Sequence, residues 1–162
     1  MIGFFLFILI FALIGASIPV TISVIAYLSR KSKRKAIIAN LPQDVTYTAN
    51  VRLNSPKKND AFLKLKAFEF SGVLYIKVEK VYVDGTKGQH YEFDLHSSAI
   101  TWPGVQVQNG AMQWFCIDDM NGQKLYVNAE TGVFVFRLSS SMPSTKDVYQ
   151  YLLNQQKISQ IG

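Results

Sequence analysis

Hydrophobic residues run unbroken at the start of this chain, alternate with polar ones through its middle and recur at helical spacing near its end. From Met1 to Ser29 no residue is charged, and Ile2 to Leu28 is dense in Phe, Leu and Ile. At about 1.5 Å per residue that stretch predicts a helix long enough to cross a bilayer core roughly 30 Å thick. Ser17, Thr21 and Ser23 can return their hydroxyls to the carbonyl one turn back, and Pro19 predicts a kink of the kind spanning helices tolerate. Asn40 and Pro42 end any helix. From Val45 the period becomes two: Val45, Tyr47, Ala49, Val51 and Leu53 alternate with polar residues, the pattern of a strand buried on one face.

The alternation continues with changes of phase. Asn54 to Asp60 reads as an exposed turn, and Leu63, Leu65, Ala67, Phe68 and Phe70 as a strand with a bulge. Ser71-Gly72 reads as a turn, and Leu74, Ile76, Val78, Val81 and Val83 as a second bent strand that shifts phase across Glu79-Lys80. Asp84-Gly85 and Lys87-Gly88 turn the chain into Tyr91, Phe93 and Leu95, and Trp102-Pro103-Gly104 breaks it again. Asn109-Gly110 is the clearest hairpin signal. A loop over Asp118 to Gly122, a strand through Leu125 and Val127, a turn at Glu130-Thr131-Gly132 and a strand from Val133 to Leu138 follow. Ser139 to Ser141 lead to a helix that Ser144 caps, with Asp147 completing a capping box. Val148, Tyr151, Leu152 and Gln155 give that helix an apolar stripe.

The fold class is therefore mainly β: one N-terminal transmembrane helix, then a curled antiparallel sheet or small barrel of seven to eight strands closed by a C-terminal amphipathic helix. Three parts are expected: residues 1–29 as transmembrane helix, 30–44 as a basic juxtamembrane linker and 45–162 as the β domain. A cleaved signal peptide is the competing reading of the first part. Nothing positive precedes Phe4, however, and the apolar run is too long for one.

Charge changes the picture at one place. Arg30, Lys31, Lys33, Arg34 and Lys35 crowd five positive charges into six residues. Positive flanks stay in the cytoplasm, so a single-pass protein of the cell (inner) membrane is expected, with its N-terminus outside and its domain cytoplasmic. The same five residues form a candidate membrane-surface site that attracts anionic lipid. Seventeen Lys and Arg less these five leaves twelve against all eleven acidic residues, so the rest is near neutral. A nucleic-acid partner is not expected from so balanced a domain. Ala12, Gly15 and Ala16 make a small-residue patch suited to helix–helix contact.

The element order resembles the pleckstrin-homology superfold in its bacterial membrane-anchored form, a bent seven-stranded sheet closed by a C-terminal helix. The resemblance covers roughly Val45 to Gln156. It implies an interaction domain and carries no binding residues, since no basic phosphoinositide-type loop is evident.

Candidate chemistry adds little. His90, Glu92, Asp94 and His96 share one strand face, but six residues at about 3.3 Å each hold the imidazoles roughly 20 Å apart, too far to share a metal. Asp118-Asp119-Met120-Asn121-Gly122 lacks the ligand spacing of a calcium loop. Cys116, the single cysteine, lies in an apolar strand and reads as a buried small hydrophobe. No nucleophile motif or phosphate loop appears. Trp102, beside a turn, is a candidate partner contact. The expected function is a non-enzymatic, membrane-anchored adaptor or accessory subunit without cofactor. Its β domain binds a protein partner, as in immunity, exclusion or secretion-type complexes. The alternative is a module at the membrane surface that binds lipid headgroups or small ligands.

Overall fold

A computed structural model describes residues 2–60, 67–132 and 142–159, with backbone alone for residues 2–14 and Ala16. The expected strand positions Leu63 and Leu65, the expected strand Val133 to Leu138 and Ser139 to Ser141 lie outside the described residues. A helix, α1, runs from Ile2 to Ala39 through Pro19. Thr21 Oγ1 donates to Ser17 O at 2.9 Å and Ser23 Oγ to Pro19 O at 2.7 Å, so both hydroxyls are absorbed within the helix. The helix does not stop at the basic residues. It carries them to Asn40, whose side-chain amide donates to Ala36 O at 2.9 Å.

Among the described residues no helix is long and apolar enough to cross a membrane. Beyond Ser29 the helix turns two charged residues, Arg30 and Arg34, onto the sheet. This corrects the expected transmembrane segment, and with it the inner-membrane placement that rested on it.

Seven antiparallel strands follow: β1 (Tyr47–Asn54), β2 (Phe70–Lys77), β3 (Lys80–Gly85), β4 (His90–Asp94), β5 (Ala99–Gln106), β6 (Met112–Asp118) and β7 (Lys124–Ala129). They form one sheet in the order β4-β3-β2-β1-β7-β6-β5, with β1 at the centre between β2 and β7. The sheet is open: β4 and β5 are its edges, and no ladder joins them among the described residues. A barrel is thereby corrected to an open sheet with a helix over one face.

That helix is α3 (Thr145–Ser159). Val148 and Leu152 are fully buried with Val51, Leu53, Leu74, Phe115, Ile117 and Val127 in a single core. Tyr151 stacks on Tyr47 at 4.1 Å, and Gln156 Nε2 donates to the carbonyls of Leu95 and Ser98 at 2.7 and 2.8 Å. The helix thus covers the gap between the end of β4 and the start of β5 with side chains, where strand pairing would otherwise close the sheet.

Local expectations fail where tertiary contact overrides turn chemistry. Ser71-Gly72 lies inside β2, not at a turn. A Cβ on Gly72 would sit 2.4 Å from Asp84 O, so glycine is there to let β3 approach. The phase shift at Glu79-Lys80 is a tight hairpin, with Val78 and Glu79 at φ 42° and 59°. Trp102-Pro103-Gly104 remains within β5 as a bulge between Thr101 and Gly104. Asn54 to Asp60 is not an exposed turn: Pro56–Asp60 forms a short helix, α2, and Asn54 and Asn59 are buried. Asn109 holds that segment, accepting from Asn54 Nδ2 at 3.4 Å and donating to Asn59 Oδ1 at 2.7 Å.

Candidate functional site

Two positions four apart lie on the same face of a helix, so Arg30 and Arg34 turn together toward the sheet while Lys31, Lys33 and Lys35 stay exposed. Both arginines reach Glu130, just past the end of β7, whose carboxylate is fully buried. Arg34 Nη1 hydrogen-bonds Glu130 Oε2, and Arg30 Nη2 lies 3.5 Å from Oε1. Arg52 arrives from β1, its Nη2 3.6 Å from the same Oε1 and 2.8 Å from Gly132 O. Arg30 and Arg52 also lie against the Phe68 ring, 5.2 and 5.4 Å from its centroid.

Three guanidinium groups therefore share one carboxylate, an excess of two positive charges. Burial pushes the Arg52 guanidinium below its ordinary value, Glu130 opposes that, and Arg30 and Arg34 add to the depression. The ordinary value is so high that Arg52 stays charged at any physiological pH. The cluster pins α1 to the seam between β1 and β7. The five basic residues expected to form one surface are thus divided: two are tied into the fold and three are exposed.

Beside this cluster α1 and the start of β2 leave a groove of about 500 Å³. Ile22, Ala26, Phe68 and Phe70 supply its apolar wall, and Arg30, Lys33 and Lys87 its charge. Glu69 also borders it, but its carboxylate accepts from Ser55 N at 3.1 Å and Ser55 Oγ at 2.7 Å.

The polar face of β4 is accounted for by neighbours. His90 Nδ1 meets Asp84 at 2.5 Å, Glu92 pairs with Lys80 at 2.5 Å, and His96 Nε2 lies 3.2 Å from Glu79. Asp94 Oδ1 accepts from the backbone N–H groups of His96 and Ser97 at 2.7 and 3.2 Å. Among the described residues no three His, Cys, Asp or Glu side chains could hold a metal together. Asp119 Oδ1 accepts from Asn121 N and Gln123 N at 3.0 and 2.7 Å, which makes its loop a side-chain-stabilised turn. Burial pushes the Cys116 thiol up to about 11, far from a reactive thiolate.

Trp102 is half-buried, its ring 5.0 Å from Tyr149 on α3. From Ala99 to Gly110, along the β5 edge and the turn after it, no residue is charged. Val105 and Val107 are 59% and 80% exposed there. Gly15 is exposed with open space around it, and the side chains of Ala12 and Ala16 lie outside the described residues. Neither Glu130 nor the groove carried a local sequence signal, because Glu130 lies about a hundred positions from the two helix arginines it binds.

No protein-family model matches this chain, and no curated protein matches it.

Proposed function

We propose that this chain is a non-enzymatic adaptor whose β domain binds a protein partner along the β5 edge. One observation carries the reading: the β5 edge and the turn after it are uncharged and present Val105 and Val107 to solvent. Sheet edges are ordinarily blunted by charge or shortness, and the opposite edge, β4, follows that rule with five residues that include His90, Glu92 and Asp94. Pro103 and the bulge at Gly104 restrict strand pairing to the ends of β5. The partner that fits is therefore a short extended segment with apolar side chains, packed beside Trp102, Val105 and Val107. Seven antiparallel strands followed by a helix support keeping the likeness to the pleckstrin-homology superfold within this reading.

Co-purification under gentle extraction tests it. The full chain should return a partner in stoichiometric amount, and Val105→Lys with Val107→Lys should lose that partner while unfolding at the same urea concentration. Both positions are exposed, so the lysines cost the fold little. Recovery of the chain alone, or a partner retained by the double variant, would overturn the proposal.

A further inference from the structure

We infer that the groove between α1 and β2 binds an amphiphile with an anionic head and a hydrocarbon chain. Its volume, about 500 Å³, falls within the range of small-molecule sites, which pair apolar walls with a few placed polar groups. The two kinds of lining are segregated by residue type: Ile22, Ala26, Phe68 and Phe70 can shelter a chain, and Arg30, Lys33 and Lys87 can meet a head. Charge complementarity selects an anion. Among the described residues Lys33 and Lys87 have no ion-pair partner, and the lining holds three cations against the single carboxylate of Glu69, which accepts from Ser55. The excess positive charge around Glu130 lies behind Arg30. A neutral chain would leave these cations unanswered, and a bare anion would leave exposed Ile22 and half-buried Phe68 facing water. The inference is independent of how the β5 edge is used.

The test uses the purified full chain and a dodecyl phosphate carrying a photoreactive diazirine near the end of its chain. Cross-links should map to residues 22–33 of α1 and to residues 67–71, and dodecyl phosphate should compete them away. Dodecyl maltoside, with the same chain and a neutral head, should compete far less, and inorganic phosphate hardly at all. Lys33→Gln with Lys87→Gln changes two exposed residues and should weaken labelling about five- to tenfold, the scale of two surface charge contacts. Cross-links confined to other segments would overturn the inference. So would equal competition by the maltoside or by phosphate, or labelling that the double variant leaves unchanged.

Discussion

Glu130 is a single carboxylate facing Arg30, Arg34 and Arg52 in a place closed to water. A buried ion pair adds little over apolar packing, but removing one partner leaves charge stranded in a poor solvent for it. Glu130→Ala should therefore cost about 3–5 kcal/mol, a large share of the roughly 5–15 kcal/mol that holds a typical domain together. A fall in the urea midpoint without a change in slope is the expected result. Lys31→Ala or Lys35→Ala, exposed members of the same basic run, should stay within about 0.5 kcal/mol. Equal effects at Lys31 and Glu130 would contradict the division of the collar. Composition places all five cations together, and helical spacing separates Arg30 and Arg34 from the rest. Only the folded chain supplies the carboxylate that makes those two structural.

The elements divide by how local their causes are. The C-terminal helix was legible in full at its start. Ser144 N donates to Asp147 Oδ2 at 2.7 Å and Asp147 N to Ser144 Oγ at 3.2 Å, the reciprocal pair the spacing predicts. Its apolar stripe buries Val148 and Leu152. The hairpin at Asn109-Gly110 was legible for the same reason, with Gly110 at φ 75° in the left-handed region. The β2–β3 pair was not. Gly72 looks like a turn residue, yet its role is to leave room for the backbone of β3. Val78, which turn statistics disfavour, takes the positive φ at the real turn. Gly72→Ala should therefore cost about 1–3 kcal/mol by forcing β2 and β3 apart. Hydrogen exchange should show that loss as faster amide exchange in β2 and β3, with β6 and β7 retaining their relative protection. Uniform loss across the sheet, or none, would contradict this role for the glycine.

At the scale of the whole molecule, burial spans both halves of the sheet and shows itself in alkali. Desolvation pushes the Cys116 thiol from 9.0 up to about 11, and the Tyr47 and Tyr75 phenols from 10.0 up to about 12. Each group holds its proton more tightly in the fold than in the unfolded chain. Stability from these groups is thus complete below pH 9 and is lost as pH rises from about 9 to 12. Urea midpoints measured from pH 8 to 12 should decline across that window, with tyrosinate absorbance rising alongside unfolding. A midpoint that stays level to pH 12 would contradict the burial of all three. The open architecture belongs to this scale too. Alternation with two phase shifts suggested a bent sheet on its way to closure, whereas the sheet stays open and Gln156 of α3 donates to Leu95 and Ser98 between its two edge strands.

Residue order alone determined what depends on near neighbours: the alternation that makes strands, the capping box, the hairpin at Asn109 and the charge boundary at Arg30. These are settled within a few residues, by steric and hydrogen-bonding preferences of the backbone. Tertiary structure decided that the sheet stays open, that Arg30 and Arg34 tie α1 to the sheet, and that one buried carboxylate sorts the basic residues into structural and exposed. Those outcomes hang on groups far apart in the chain, and the energy that places them exists only once folding has expelled the water between them.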